Sequence, residues 1–77
     1  MPTYRICILN EDFCATDDHT CPDEKCAAKQ ALRGALDIGT DQIVAGKQFF
    51  GAEVTVESGN ERVGHFVVAV GKSSLKV

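Results

Sequence analysis

The sequence predicts an α+β domain with a β-α-β-β order, in which one amphipathic helix packs on one face of a three-stranded, mainly antiparallel sheet. Three observations predict this: three segments alternate as strands do, one long segment has helical periodicity, and a length of 77 residues suits a single core. We expect residues 1–71 to form this domain and residues 72–77 to be a frayed tail. A chain below roughly 80 residues often recruits a metal, a disulfide or a partner subunit for stability.

The first predicted strand covers residues 3–9, which are rich in β-branched and aromatic side chains. Its two sides carry Tyr4, Ile6 and Ile8 on one and Arg5, Cys7 and Leu9 on the other. Residues 10–20 are polar and acidic and show no sustained period, so they predict a long loop. A loop of this length is typical of a functional or mobile segment.

The predicted helix begins near Thr20, which offers a capping hydroxyl, and Pro22 follows in the first turn. The apolar half of the helical wheel, at about 100° per residue, consists of Ala27, Ala28, Ala31, Leu32, Ala35, Leu36, Ile38 and Ile43. The polar half consists of Lys29, Gln30, Arg33, Asp37 and Asp41. This amphipathic pattern predicts a helix that covers a core on one side. Gly39 and Thr40 would permit a break or a kink before Ile43.

Two more strands follow the helix. Residues 48–57 alternate between apolar and polar side chains, which predicts a half-buried second strand. Residues 58–61 have turn chemistry, and residues 63–70 form a third strand that is apolar on both faces. Because such a strand favours a central position, we expect the third strand between the first and second strands and antiparallel to both, with the helix as a right-handed crossover.

One helix covers only one face of such a sheet, so the second face is expected to expose apolar side chains. Cys7, Leu9 and Phe49 belong to this open face and are the predicted interface residues. An exposed apolar area of this kind usually marks a partner. The sequence therefore predicts a homodimer that buries the open face or pairs strand edges, or else a complex with another protein.

Charge and composition disfavour several functional classes. The net charge is −3, and residues 1–24 hold six acids against one base, whereas the remainder holds seven bases against five acids. An acidic chain without a basic stripe gains little from counterion release, so no nucleic-acid partner is expected. The sequence has no long apolar run and its start lacks the pattern of a signal peptide, so we expect a cytoplasmic protein without a membrane partner.

The four cysteines suggest two alternatives. Cys14, His19, Cys21 and Cys26 form a loosely spaced set of nitrogen and sulfur ligands that could hold a zinc ion. Against this stands the simpler interpretation that these are free thiols in a reducing compartment and that no cofactor is bound. Cys26 lies on the polar half of the wheel near the helix N-terminus, where a thiol pKa is lowered, and this position favours a redox role.

Nucleophilic catalysis would need a thiol, a histidine base, an oxyanion site and a walled cleft. His19 and His65 are the candidate bases, but the short chain predicts no such cleft, and His65 lies mid-strand where a neighbour would satisfy its ring. The sequence therefore predicts a protein that is not an enzyme.

Several short motifs resemble those of a bacterial family of unknown function, whose members are about seventy to eighty residues long. They are the Met1-Pro2-x-Tyr4 opening, the acidic Asp17-Asp18 pair, the alanine-rich helix through Ala27, Ala28, Ala31 and Leu32, and the hairpin Phe50-x-x-Glu53-Val54-x-Val56-Glu57-x-Gly59. The resemblance implies a small β-α-β-β protein, has no established activity to carry over, and departs at the four cysteines. A poorer likeness is to the antitoxins of small toxin-antitoxin pairs, whose glycine-rich motif this chain lacks.

These observations together predict a small, non-enzymatic binding or interaction module that forms a homodimer. The alternatives are a zinc- or thiol-based sensor built on residues 14–26 and an antitoxin-like regulator.

Overall fold

A computed structural model describes residues 1–73 as a ββαββ unit. Its elements are β1 (Thr3–Leu9), β2 (Cys14–Thr20), α1 (Glu24–Val44), β3 (Phe49–Ser58) and β4 (Glu61–Gly71). The strands form one antiparallel sheet in the order β2-β1-β3-β4. The predicted α+β class, with one helix and an antiparallel sheet, is therefore confirmed. Of the tail predicted for residues 72–77, residues 74–77 lie outside the described residues.

The core lies between the sheet and α1. Strands β1 and β3 contribute the inward side chains Tyr4, Ile6, Ile8, Phe50, Ala52, Val54 and Val56. The helix contributes Ala27, Ala31 and Ala35, all with no exposed area. These small side chains let the helix backbone come close to the sheet, so the bulk of the core comes from the strands. Phe13 adds a stacked contact on Phe50, with ring centroids 6.5 Å apart.

The sheet has four strands, and the prediction of three was wrong because residues 14–20 form β2 instead of a loop. β2 pairs with β1 along its whole length, from Thr3 opposite Thr20 to Leu9 opposite Cys14. It lies at the sheet edge, its side chains are exposed or half-buried, and its contacts with α1 are too few to cover it. A strand held mainly by backbone hydrogen bonds needs no apolar alternation, so its sequence resembles that of a loop.

The predicted strand order was also wrong. Residues 61–71 form β4 at the other edge of the sheet, and β1 and β3 pair with each other in the centre. The chain crosses from β2 over β1 to β3 through α1. β4 is apolar on both sides although it lies at an edge. One side contributes Val68 to the core, while Val67 on the other side is 73% exposed.

The helix differs from the prediction at its start and at its glycine. Asp23, not Thr20, is the N-cap, and its carboxylate accepts a hydrogen bond of 2.8 Å from the Cys26 backbone N–H. The helix runs without a break through Gly39. The glycine instead serves packing, because a Cβ there would come within 2.7 Å of the Phe50 ring. The missing side chain makes room for an aromatic ring.

Candidate functional site

β4 is a long edge strand whose outer row of backbone groups has no partner among residues 1–73. It covers 11 residues, and from Val63 to Val70 it contains no Lys, Arg, Asp, Glu or Pro. Those residue types are the usual protection of an exposed edge against pairing with another chain. At the opposite edge, β2 carries Asp17 and Asp18. The two edges therefore differ, and of the sheet edges within residues 1–73 only that of β4 is suited to strand addition.

Two leucines on α1 lie on the same side of the molecule as β4. The stripe Ala27, Ala31, Ala35 and Gly39 faces the sheet, and the flank that includes Gln30, Gly34 and Asp37 faces a cleft beside β1 and β2. Leu32 and Leu36 lie on the opposite flank. Each directly follows a buried alanine of the stripe and is therefore about 100° further around the helix. They are 42% and 38% exposed, although the periodicity predicts them in the core.

The edge of β4 together with Leu32 and Leu36 is called the β4–α1 edge surface here. Its two parts are adjacent because α1 packs mainly over β3 and β4. The helix is therefore displaced away from β2, and the displacement exposes β2 while bringing apolar helix side chains to the β4 edge. The sequence does not reveal this surface, because a strand that is apolar on both faces, such as residues 63–70, is predicted in the centre of a sheet.

The predicted interface residues lie on the open face of the sheet, opposite α1. Leu9 is 48% exposed, Phe49 is 63% exposed, and Cys7 is half-buried. Leu9 and Val67 lie on either side of Glu53 in the strand register, and the Phe49 ring contacts Gly51. Leu9, Phe49 and Val67 therefore form an apolar corner of the open face.

Most of the rest of the open face is charged or polar. The Nε2 atom of His65 lies 2.8 Å from Oε1 of Glu53, which provides the neighbour that the sequence predicts for this histidine. Arg5 lies 3.6 Å from Asp18 on the paired strand. Because these exposed groups already pair with each other, the open face is less apolar than the sequence predicts, and only its corner is suited to burial.

The four residues of the predicted zinc set do not converge on one point. Cys14 begins β2 and points to the open face, whereas His19 is five residues further along the strand and points to the helix side. Cys21 and Cys26 lie next to each other at the start of α1, with Cys21 only 2% exposed. Within residues 1–73 no three His, Cys, Asp or Glu side chains gather as a metal site. Zinc binding stays a prediction.

The cysteines form two close pairs. The Sγ atoms of Cys7 and Cys14 are 3.6 Å apart on the open face, and all four cysteines are free thiols. Burial raises the pKa of the Cys7 thiol, and its hydrogen bond with Cys14 raises that pKa further. Burial also raises the pKa of Cys21, with Cys26 as the next cause. The Cys7–Cys14 pair was not foreseen, because the register of β2 brings the two together.

A cleft of about 340 Å³ lies between α1 and the uncovered inner side of β2. His19 Nε2 is 3.4 Å from the Asp17 carboxylate in this cleft, and Arg33 and Asp37 line the helix side. A carboxylate and an imidazole can orient a polar ligand or move a proton. Among residues 1–73, the lining of this cleft includes no Ser, Thr or Cys.

Comparisons with known proteins add no relative: no family model matches the sequence, and neither the curated proteins nor the solved structures give a match. The resemblance to short bacterial proteins therefore stays an expectation from motifs. No helix among residues 1–73 combines the length and the apolar character that crossing a bilayer requires.

Proposed function

We propose that this domain is a non-enzymatic interaction module that forms a homodimer through the β4–α1 edge surface. The observation that carries the proposal is the outer edge of β4, which includes no Asp, Glu, Lys, Arg or Pro between Val63 and Val70. An exposed, apolar edge of this length leads to uncontrolled pairing unless something covers it. A second copy of the same strand covers it with matching backbone groups.

A two-fold axis suits this strand. Antiparallel pairing of β4 with its own copy is symmetric, and it joins the two sheets into one of eight strands. Side chains that lie opposite each other across the new pairing must be on the same face of the sheet. The two-fold axis therefore passes between one residue and its own copy, not between two different residues. The helices then lie side by side on the same face, and Leu32 and Leu36 of each chain meet across the axis.

The size of the surface agrees with a stable dimer. A strand of 11 residues is roughly 37 Å long. With the sheet and the helix above it, the band is about 20 Å deep, which gives roughly 700 Å² per chain. Standard interfaces bury about 800 Å² per partner. The contact is therefore near the lower end of what a specific dimer needs.

The test is the mass of the protein in solution, measured by light scattering or sedimentation over a range of protein concentrations. A dimer is expected for the natural sequence and a monomer for Leu32→Lys with Leu36→Lys, because four lysines would meet at the axis. These positions are exposed on a helix, and lysine is a good helix former, so the fold is preserved. Val44→Lys is the matched control: Val44 is 82% exposed on another side of the same helix, and its substitution should leave the dimer intact.

The same measurement separates this mode from a dimer through the open face. Leu9→Glu and Phe49→Glu place a charge in the apolar corner and would break an open-face dimer while leaving the edge dimer intact. A monomer for those variants and a dimer for the leucine variant would overturn the edge mode in favour of the open face. A natural sequence that is monomeric at every concentration would overturn both.

A further inference from the structure

The hairpin formed by β1 and β2 carries a pair of thiols that the proposed function does not use. Cys7 lies opposite Thr16 and Cys14 lies opposite Leu9, so the two cysteines are diagonal neighbours on the open face. Their Sγ atoms are 3.6 Å apart. Cys14 is exposed and Cys7 is half-buried. The pair is therefore close enough for the two sulfurs to interact and open enough for a small reagent to reach one of them.

We propose that Cys7 and Cys14 are a thiol–disulfide exchange site that takes a small-molecule disulfide as its oxidant and closes into a reversible bond across the hairpin. In the first step the Cys14 thiolate attacks the small disulfide, forms a mixed disulfide and releases one small thiol. In the second step Cys7 loses its proton and attacks the Cys14 sulfur, which releases the second small thiol. The two cysteines lose two electrons and two protons in total, and the small disulfide gains them.

The position of β2 makes the second step feasible. A disulfide bond is about 2.05 Å long, so the sulfurs must approach by about 1.5 Å. Diagonal neighbours have Cα atoms about 7–8 Å apart, which is beyond the reach of a disulfide unless the backbone moves. β2 pairs only with β1 among the described strands and lies outside the cover of α1, so it can twist or slide relative to β1 without disturbing the core.

The second thiol pair is a less suitable exchange site. Cys21 is 2% exposed and belongs to the core, so a small disulfide cannot reach it without opening the fold. Cys26 is half-buried against the same core. The exchange site is thus assigned to the hairpin, where closing the bond ties the edge strand β2 covalently to β1. Opening the bond leaves β2 held by backbone hydrogen bonds.

The test is to equilibrate the reduced protein with mixtures of oxidised and reduced glutathione, to alkylate the remaining thiols and to measure the intact mass. We expect a species with two alkylated thiols, no bound glutathione and two hydrogens fewer than the reduced chain. Cleavage after glutamate then separates residues 1–11 from residues 12–24, and we expect these two peptides to be linked. A Cys21–Cys26 bond would instead link residues 12–24 to residues 25–53.

The variants identify the sulfurs. Cys7→Ser and Cys14→Ser should each abolish the internal bond and leave a glutathione adduct on the surviving cysteine, whereas the control Cys26→Ser should still form the bond. Four alkylated thiols at every glutathione ratio would overturn the proposal. So would a linked peptide that contains residues 25–53. Neither result bears on the dimer, because β1 and β2 lie away from the β4 edge.

Discussion

Gly39 on α1 lies directly against the ring of Phe50 on β3, so that a Cβ at residue 39 would come within 2.7 Å of Phe50 Cδ2. Phe50 is 1% exposed and is among the largest fully buried side chains of the core. At this point the distance between helix and sheet therefore depends on one missing side chain and one aromatic ring.

Gly39→Ala is expected to destabilise the domain. The new Cβ meets Phe50 and, at 3.1 Å, Val70 Cγ2, and overpacking of this kind costs about 1–3 kcal/mol. Gly34→Ala is the matched control, because its Cβ would meet nothing closer than Ile8 Cδ1 at 3.7 Å. That variant should gain up to about 1 kcal/mol from helix propensity. Urea unfolding at a fixed protein concentration measures both, and a shift of the same sign in the two variants would contradict the packing argument.

The N-cap of α1 gives a second prediction. Asp23→Ala removes the oxygen that accepts from the Cys26 backbone N–H, and the expected loss of unfolding free energy is about 1 kcal/mol. Asp23→Asn keeps an acceptor oxygen and should lose only the charge interaction with the helix dipole, typically about 0.3–1 kcal/mol. Equal losses in urea unfolding would show that the hydrogen bond is not the source of the effect.

Hydrogen exchange should distinguish β2 from the rest of the sheet. Because β2 has one neighbouring strand in the described part of the chain and little helix cover, its paired amides should exchange through local opening. Amides between β1 and β3 should exchange only through global unfolding. Native-state exchange followed by nuclear magnetic resonance measures both, and protection in β2 equal to that in β3 would disprove the local opening. In the oxidised protein, β2 amides should exchange more slowly.

Alkaline pH is expected to destabilise the fold. Burial raises the pKa of the Cys7 and Cys21 thiols above 9.0 and that of the Tyr4 hydroxyl above 10.0. A raised folded-state pKa means that the unfolded chain releases its proton first, so the stability is fully present below about pH 9 and falls as the pH rises through the folded values. Urea unfolding between about pH 7 and about pH 10.5 measures how the free energy of unfolding depends on pH in this range.

Cys21→Ala provides the control for the alkaline prediction. It removes one of the groups whose proton the folded chain retains, so the free energy of unfolding should fall less steeply with pH than in the natural sequence. An unchanged slope would assign the alkaline loss to other groups.

The sequence predicted the elements that face the core and missed those that do not. In β1, β3 and α1 the core imposes a period, and residues such as Ile6, Val54 and Ala31 follow it. β2 has no such constraint, since Asp17 and Asp18 are tolerated on an edge strand without helix cover. The strand was consequently predicted as a loop, and the order of the strands was then wrong as well.

The candidate sites depend on the missed strand β2 and on the strand order, neither of which the sequence predicted correctly. Without the register of β2 the sequence gives no reason to place Cys7 beside Cys14. Without the position of β4 at an edge it gives no reason to leave Leu32 and Leu36 exposed. Helical periodicity identifies an apolar half of the wheel, but which part of that half is covered depends on where the helix lies across the sheet.

The polar character of β2 has a consequence for how this protein can evolve. Its place in the sheet depends on backbone groups, which every residue except proline supplies in full. Substitutions at residues 15–19 should therefore be nearly neutral for folding, while the same changes in β3 would destabilise the fold and be removed by selection. The segment beside the cleft is free to acquire new recognition chemistry on a scaffold that does not change, so sequence divergence among descendants of this chain should concentrate there.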